Sequence, residues 1–260
     1  IHNCESLWPS ITYGERDHWR NQMNAFFYCT HSLGPIIHIT GLRPVSVVGF
    51  EGPFNERQYR IGAPAGLFGV EMVTLENGAI VKSIHGYLYR DSTWYTIYGA
   101  KGRMESARED ADSRAYNYIY VNADEYSGQY GEPNIESYEP VRDDDDSAKA
   151  SGHGGSDYYC VDEFVKKILG DDNAETIDVY EAMDMYLPGI FAYRSTLAGC
   201  VPMEIPNLRL KEVREEYRND TACTFPHIAG DQLQPQSSHG KMEIPDEVYD
   251  NVRKMWEARK

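Results

Sequence analysis

Two runs of β-branched and aromatic residues joined by a tight turn constrain the fold of this chain more than any other feature. Residues 67–75 and 79–89 each have strand character, and Asn77-Gly78 lies between them. Both turn residues tolerate positive φ, so the arrangement predicts a β-hairpin. The alternation along residues 81–87 is typical of a strand with one buried and one solvated face. The sequence therefore predicts an antiparallel sheet.

Further strands and one helix are predicted around this hairpin. Residues 45–50 and 94–98 are rich in β-branched and aromatic side chains, and we interpret residues 1–8 as a strand as well. Residues 30–40 carry apolar side chains on roughly one helical face, and Gly41 follows them. Because glycine commonly closes a helix at this position, the pattern predicts a helix that ends at residue 40.

The second half of the chain changes from strand-like to helical patterns. Residues 125–156 contain Gly, Pro, Ser and four adjacent Asp at 143–146, and we interpret this stretch as a long solvated loop. Apolar residues then recur at helical spacing between capping residues. The predicted helices cover residues 156–170, 178–197, 207–217 and 245–257, with an irregular polar arm at residues 219–240.

Strands followed by helices predict an α+β fold, with a large, mostly antiparallel open sheet and helices packed on one face. We assign residues 1–206 to the sheet domain. Residues 207–260 are predicted to form C-terminal helices and an extended arm packed on that same domain.

The charge of the chain excludes several classes of partner. Its 260 residues include 41 acidic and 25 basic residues, which gives a net charge of −16. Nucleic acid and anionic membrane surfaces would be repelled, so neutral or cationic small molecules, or another protein, are the expected partners. The 20 tyrosines suit stacking on sugars, but they suit strands and interfaces as well. No apolar stretch approaches the ~20 residues that cross a bilayer.

The five cysteines are widely separated and include no Cys-x-x-Cys pair. This odd number and spacing argue against a disulfide framework and against a zinc site. We therefore expect reduced thiols in a cytoplasmic protein. Because Ile1 is not an initiator Met, we interpret the chain as a fragment, a processed product or an excised domain.

The sequence lacks the features of a nucleotide-binding fold. No Gly-x-Gly-x-x-Gly follows a strand, and strands and helices do not alternate. The glycine-rich residues 152–155 open a helix, but their spacing is wrong for a phosphate loop and an acidic run precedes them. The four Asp at 143–146 lack the ligand spacing of a calcium loop. We expect neither a bound metal nor a complete cofactor site.

Three motifs occur in a characteristic order along the chain. They are Tyr-Cys-Thr-His-Ser-Leu-Gly-Pro at residues 28–35, Gly-His-Gly-Gly-Ser-Asp-Tyr-Tyr at residues 152–159, and Ile-Asp-Val-Tyr-Glu-Ala at residues 177–182. As an ordered set they resemble the C-terminal domain of the Gfo/Idh/MocA oxidoreductases. The pattern is most similar to the branch of NAD-dependent glycosidases of the α-N-acetylgalactosaminidase type, and the resemblance runs across most of the chain.

The resemblance implies a division of work between two domains. Members of this family carry an N-terminal Rossmann domain that binds NAD or NADP and supplies a catalytic Lys, and neither has a counterpart in this sequence. The C-terminal domain implied here roofs the nicotinamide, contacts a sugar or glycoside substrate and forms a homo-oligomer through its sheet face. We expect an oxidoreductase or glycosidase activity of the full-length protein and no NAD turnover by this chain alone.

The resemblance also implies roles for individual residues. His31 matches the active-site His of the first motif and is the candidate catalytic residue. Tyr28 matches the sugar-contacting Tyr of that motif. Trp19, Arg20 and His153 are further candidate substrate contacts.

The sequence departs from the family pattern at three positions. Cys29 stands where the glycosidases usually carry Pro. Thr30 and Gly34 stand where dehydrogenase members usually carry an Asp-x-x-x-His pair. The departures leave open whether the outcome of the reaction is oxidoreduction or glycoside cleavage.

Each functional assignment has a structural alternative. A helix start can hold His31 neutral for proton transfer, but the same position suits a capping or hydrogen-bonded His. Trp19-Arg20 could be a surface pair, and we interpret His38 and His85 as structural residues. The alternative for the whole chain is a free-standing, non-catalytic sheet module that assembles with itself or with a cofactor-bearing subunit.

Overall fold

The computed structural model describes residues 4–66, 68–86, 94–100, 102–106, 117–121, 134–138 and 146–259. Its helices are α1 (Cys4–Thr12), α2 (Thr30–Thr40), α3 (Glu56–Ile61), α4 (Asp146–Lys149), α5 (Ser156–Ile168), α6 (Val179–Leu197), α7 (Lys211–Glu216), α8 (Pro226–Ala229) and α9 (Asp246–Glu257). Its strands are β1 (Pro44–Glu51), β2 (Phe68–Leu75), β3 (Ile80–Gly86), β4 (Thr96–Gly99), β5 (Gly102–Ser106), β6 (Asn117–Val121), β7 (Asn134–Tyr138) and β8 (Met203–Glu204). Short 3₁₀ turns span Trp19–Gln22, His153–Gly155 and Gly230–Gln232.

The chain divides into two compact units. The first unit comprises Ile1–Asp91 and Val179–Lys260, and the second comprises Ser92–Asp178. Each unit contains one four-stranded sheet, with strand order β3-β2-β1-β8 in the first and β4-β5-β6-β7 in the second. Every strand pair among the described residues is antiparallel. The predicted α+β class with antiparallel pairing is confirmed, and the strands form two sheets.

The predicted hairpin connects β2 and β3. Gly78 has φ of 87°, and its N–H donates to the Leu75 carbonyl at 2.8 Å. The Asn77 side chain accepts from the Ala79 N–H at 2.9 Å. These local bonds set the register, in which Glu71 faces Ser83 across the two strands. Residue 67 and residues 87–89, which were also predicted to belong to these strands, lie outside the described part.

The core of the first unit lies between its sheet and helices α2 and α6. Val47 and Val73 project from the sheet onto Leu33 of α2 and Ala192 of α6, and all four side chains are buried. Each buried side chain of this kind stabilises the fold by about 1.5–3 kcal/mol. The contact between β1 and α6 is very close, because a Cβ on Gly49 would lie 2.1 Å from the Ala192 carbonyl oxygen. Glycine is therefore required where β1 passes beneath α6.

Helix α2 begins and ends at the predicted residues. Gly41 adopts the left-handed conformation, and its N–H donates to the Ile37 carbonyl at 2.8 Å. This C-cap confirms the helix boundary that was predicted from the sequence.

Residues 4–8 contradict their prediction as a strand, and residues 1–3 lie outside the described part. Cys4–Thr12 is helix α1 rather than a strand. The reason is tertiary: Trp8 is buried in a second apolar cluster with Ile61, and its indole N–H donates to the Asn21 side chain at 2.7 Å. The aromatic and β-branched content that indicated a strand is used here to pack a helix against α3.

The predicted loop at residues 125–156 is also wrong in part. Strand β7 lies inside it and pairs with β6, and helix α4 begins at Asp146. The neighbouring Asp at 143–145 lie outside the described residues. Pairing with β6 overrides the turn-like composition of this stretch.

Three further boundaries differ from their predictions. Strand β4 begins at Thr96 rather than at residue 94. Helix α7 is shorter than predicted, because the Asn207 side chain accepts from the Arg209 N–H and forms a turn before the helix. The polar arm at residues 219–240 contains α8 and a 3₁₀ turn, and Thr224 and Ser237 are buried within it.

Candidate functional site

The 3₁₀ turn before α2 brings together three of the predicted site residues. The guanidinium of Arg20 lies 4.3 Å from the centroid of the Trp19 ring and 6.0 Å from that of Tyr28. Arg20 Nη1 also donates a hydrogen bond to the Tyr28 hydroxyl. The Arg20 backbone N–H donates to His18 Nδ1, which fixes the start of the turn. The cation therefore lies over the Trp19 ring with an N–H directed at the Tyr28 hydroxyl.

His31 completes this arrangement from the first turn of α2. Its ring centroid lies 5.6 Å from that of Tyr28, and its side chain is exposed. The backbone N–H of His31 donates to the Tyr28 carbonyl at 3.1 Å. The structure therefore places Trp19, Arg20, Tyr28 and His31 together, and we call these four residues the surface cluster.

An aromatic layer supports the surface cluster. The Phe27 ring contacts Trp19 and Tyr28, with centroid separations of 5.9 Å each. On its other sides Phe27 meets Tyr186 of α6 at 6.1 Å and Phe225 at 6.2 Å. Edge-to-face packing of this kind holds rings in fixed orientations. The cluster is thereby mounted on the core of the first unit.

The surface cluster combines side chains that can each contact a polyol. Aromatic faces pack on the C–H surface of a sugar ring, while a guanidinium and a tyrosine hydroxyl can bond its hydroxyl groups. An exposed imidazole next to them can accept or donate a proton near neutral pH. Two hydroxyl-binding groups and a proton-transferring group are therefore available on one surface.

A buried group of polar side chains lies in the first unit, on the face of its sheet that packs against α2 and α6. Glu71 of β2 faces Ser83 of β3, and His85 lies two residues farther along β3. All three side chains are buried. We call Glu71, Ser83 and His85 the buried triad. It was not predicted as a site, although His85 was predicted to be structural.

Burial shifts the protonation of two members of the triad. It raises the pKa of Glu71 to about 8, and the nearby Ser83 hydroxyl opposes the shift. It also lowers the pKa of His85, and with the charge of the nearby His31 acting in the same direction this pKa is about 3. Both side chains are therefore neutral at pH 7. The charge of His31, a member of the surface cluster, therefore acts on His85, a member of the buried triad.

The signal for the triad was present in the sequence but was ambiguous. The alternation along β3 predicts that Ser83 and His85 share a face, without indicating that this polar face is the buried one. Glu71 likewise stands in an apolar strand with no local sign of its orientation. The register between β2 and β3 decides both.

His153 belongs to the second unit. It lies in the 3₁₀ turn before α5 with φ of 52°, and its Nδ1 lies 2.9 Å from the Asp157 carboxylate. The side chain is exposed. His38, which was predicted to be structural, makes a comparable ion pair with Glu181 at 2.7 Å on the surface of α2.

The described residues do not fit a dinucleotide or a metal. A nucleotide crevice forms at the carboxyl ends of parallel strands, whereas every strand pair described here is antiparallel. Within the same residues, no group of three or more His, Cys, Asp or Glu side chains could hold a metal ion.

No helix among the described residues combines the length and apolar character needed to span a membrane. The cysteines whose side chains are described, Cys29, Cys160, Cys200 and Cys223, are free thiols.

Comparison with known proteins identifies a family and a fold. The sequence profile of the family described as glycosyl hydrolase 109, C-terminal domain, matches residues 80–212. A search of curated proteins found no matching relative.

Several solved structures share the fold. Levoglucosan dehydrogenase in complex with NADH aligns over 75% of this chain and 56% of its own, at 13% identity and a TM-score of 0.53. Its complex with NADH and L-sorbose aligns over 73% and 53%, at 13% identity and a TM-score of 0.51. An oxidoreductase domain protein from Kribbella flavida aligns over 78% and 62%, at 15% identity and a TM-score of 0.51. This chain thus spans about half the length of the solved structures that it matches.

Proposed function

Because the chain belongs to the glycosyl hydrolase 109 C-terminal-domain family, we propose that it is the substrate-binding and oligomerisation domain of an NAD(P)-dependent carbohydrate oxidoreductase or redox-assisted glycosidase. Family membership confirms the resemblance to the C-terminal domain of the Gfo/Idh/MocA oxidoreductases. The structures of levoglucosan dehydrogenase with NADH and L-sorbose support a sugar substrate and a nicotinamide cofactor.

The surface cluster is the observation that carries this proposal. Trp19 provides a face for the sugar ring, and Arg20 and Tyr28 bind hydroxyl groups through their N–H and O–H donors. His153, in the second unit, is a further proposed hydroxyl contact. The Trp19 side chain is 42% exposed, so a ring can stack on it without rearrangement of the core.

His31 is proposed to be the catalytic residue that transfers protons at a substrate hydroxyl. Its exposed imidazole beside Tyr28 is within the same surface as the hydroxyl-binding groups. The NAD(P) cofactor would supply the hydride chemistry, and its site is proposed to lie in a Rossmann domain, because the described residues of this chain do not form one.

Replacement of His31 in the complete enzyme tests the proposal. His31→Asn should lower turnover about 100-fold or more on the reactive sugar, since general acid–base catalysis contributes about that factor. NADH formation and release of p-nitrophenol from a panel of aryl glycosides would be measured in parallel. His38→Asn is the matched control, because His38 is an exposed His on the same helix and is paired with Glu181. Unchanged turnover in His31→Asn would remove His31 from the active site.

The isolated chain gives a second test. Incubated with NAD or NADP and a panel of sugars, it should form no reduced cofactor, because the described residues lack a dinucleotide crevice. Reduction of the cofactor by this chain would overturn the assignment of that crevice to another domain.

The outer face of the first sheet supports assembly into a homo-oligomer. Phe50, Met72 and Ile84 project from three adjacent strands on the face opposite α2 and α6, and all three are exposed. Apolar side chains spread over a sheet face are typical of an interface. Introducing Phe50→Lys together with Met72→Lys should shift the mass measured by light scattering to that of a monomer. An unchanged mass, with unchanged circular dichroism, would exclude this face.

The same sheet face favours a second candidate, a non-catalytic module that assembles with itself or with a cofactor-bearing subunit. The coding sequence upstream of Ile1 distinguishes the two candidates. An in-frame strand followed by Gly-x-Gly-x-x-Gly supports the enzyme, and a start codon at this point supports the module. The free thiols fit the reducing environment of the cytoplasm in both cases, and we propose that location.

A further inference from the structure

We propose that Ser83 and His85 of the buried triad position His31, through a directed chain of hydrogen bonds that ends on the first turn of α2. The proposal rests on the proposed function, because it concerns the residue that is assigned there to proton transfer. Ser83 and His85 are positioning residues in this scheme, and neither touches the substrate.

The chain of hydrogen bonds begins at a fixed acceptor. The Ser32 hydroxyl donates to the Cys29 carbonyl at 3.0 Å. A hydroxyl has a single proton, so with that proton on the Cys29 carbonyl Ser32 Oγ accepts in its second bond, which joins it to Ser83 Oγ at 2.5 Å. In the proposed arrangement Ser83 is the donor in that bond.

The same reasoning fixes the tautomer of His85. Because the Ser83 proton is directed at Ser32, Ser83 Oγ accepts from His85 Nδ1, which lies 3.3 Å away. A neutral imidazole that donates from Nδ1 carries no proton on Nε2. His85 Nε2 is buried without a hydrogen-bond partner among the described residues, which costs less for an acceptor than for an N–H. The Phe26 ring packs against the imidazole, with 5.6 Å between the ring centroids.

The chain ends where it can orient the surface cluster. The Cys29 carbonyl also accepts the backbone N–H groups of Ser32 and Leu33, at 3.0 and 2.9 Å, and so closes the first turn of α2. His31 lies inside that turn. A shift of the Ser32 hydroxyl would therefore move the backbone that carries the imidazole.

Glu71, the third member of the buried triad, takes no part in this chain of hydrogen bonds. Its side chain is fully buried opposite Ser83, and neither carboxyl oxygen has a hydrogen-bond partner among the described residues. Leaving a polar group unsatisfied in a core is destabilising, so an apolar residue would be expected at a position that served packing alone. Among the titratable groups nearby, Cys29 lies close enough to Glu71 for the carboxyl to raise the pKa of its thiol, and His31 lies close enough to His85 to lower the pKa of its imidazole.

An isosteric pair of variants tests the proposal. Ser83→Thr retains the hydroxyl, whereas Ser83→Val has nearly the same shape without it. In the enzyme that carries this chain, Ser83→Val should lower kcat about 10-fold with little change in KM, because it displaces a reacting group without removing a substrate contact. Ser83→Thr should stay within about twofold of the wild type. Thermal unfolding measured for both variants separates loss of the fold from loss of position.

Nuclear magnetic resonance of the full chain supplies a readout that does not depend on turnover. Long-range ¹⁵N–¹H correlations should identify His85 as the Nδ1–H tautomer, unchanged between pH 5 and 8. The imidazole resonances of His31 should move in Ser83→Val and return in Ser83→Thr. Identical His31 resonances in the wild type and in folded Ser83→Val, or an Nε2–H tautomer of His85, would overturn the proposal. If His31→Asn retains full turnover, the proposed function is wrong, while these resonances still decide whether the chain positions His31.

Discussion

Helices α5 and α6 follow each other in the sequence but use their apolar residues in opposite ways. Helix α6 in the first unit buries Leu187, Phe191 and Ala192 against the sheet. Helix α5 in the second unit has no buried residue, and the Phe164 side chain is 58% exposed. The stripe Val161, Phe164, Val165, Ile168 and Leu169 is exposed along its whole length.

The less exposed side of α5 is the charged one. Lys166 pairs with Asp162 at 2.6 Å and with Glu163 at 3.2 Å, and these three residues are half-buried. Helical periodicity thus predicts that α5 and α6 are helices without indicating what each of them packs against. The surface cluster is mounted on the unit whose helix is anchored in a core.

Removing the same side chain from each helix should show the largest difference. Phe191→Ala is expected to lower the free energy of unfolding by about 3–5 kcal/mol, because Phe191 is only 6% exposed and its loss leaves a cavity. Phe164→Ala should change it by less than about 1 kcal/mol. Urea unfolding followed by circular dichroism measures both. Equal effects of the two substitutions would mean that α5 is buried against another surface.

The buried triad should give the first unit a pH-dependent stability. The folded-state pKa of Glu71 is raised above its unfolded value, so its contribution is fully present below the unfolded pKa and is lost as the pH rises toward about 8. Relative to Glu71→Gln, the wild type should lose on the order of 3 kcal/mol between pH 5 and 8, since each pKa unit corresponds to about 1.4 kcal/mol.

The difference between the two proteins isolates Glu71 from His85. The folded-state pKa of His85 is lowered to about 3, so its contribution is lost in the opposite direction, as the pH falls below the unfolded value. That contribution is common to the wild type and to Glu71→Gln. Parallel stability curves from pH 5 to 8 would show that Glu71 is ionised in the folded protein.

The surface cluster should be sensitive to the shape of its cation. Arg20→Lys removes the planar group that lies on Trp19 and the donor to Tyr28, so sugar binding should weaken about fivefold with little loss of stability. Titration calorimetry of the complete enzyme measures the affinity. Arg16→Lys is the control, because Arg16 lies 4.6 Å from the Tyr249 ring and pairs with Asp246 instead. A similar loss of sugar affinity in both variants would mean that the contacts of Arg20 with Trp19 and Tyr28 have no specific role in binding.

The second unit should show the smallest effect. His153→Asn preserves a residue type that tolerates positive φ, and it removes only an exposed ion pair with Asp157. The free energy of unfolding should therefore change by less than about 0.5 kcal/mol. Sugar binding should weaken about threefold, the value of one hydrogen bond. Unchanged affinity would remove His153 from the proposed substrate contacts.

Much of the candidate site could be predicted because its residues are close in sequence. Trp19, Arg20, Tyr28 and His31 lie within one short stretch, so a single turn and the start of α2 bring them together. The buried triad could not be predicted in this way. Its bond to the first turn of α2 joins Ser32, the residue after His31, to Ser83, and these two residues are 51 positions apart and meet only after α2 packs on β3.

The sequence by itself determined the local structure: the turn at Gly78 between β2 and β3, the helix that Gly41 ends, and the periodicity of α5 and α6. These features depend on backbone conformation and on near neighbours, which the sequence specifies directly. Tertiary contacts determine that Glu71 points inward and Phe164 outward, and that the segment around Trp8, Cys4–Thr12, is a helix. The reason is that burial depends on contacts between segments that are distant in the sequence. Before those contacts form, the periodicity of a helix or strand does not determine which of its two faces is buried.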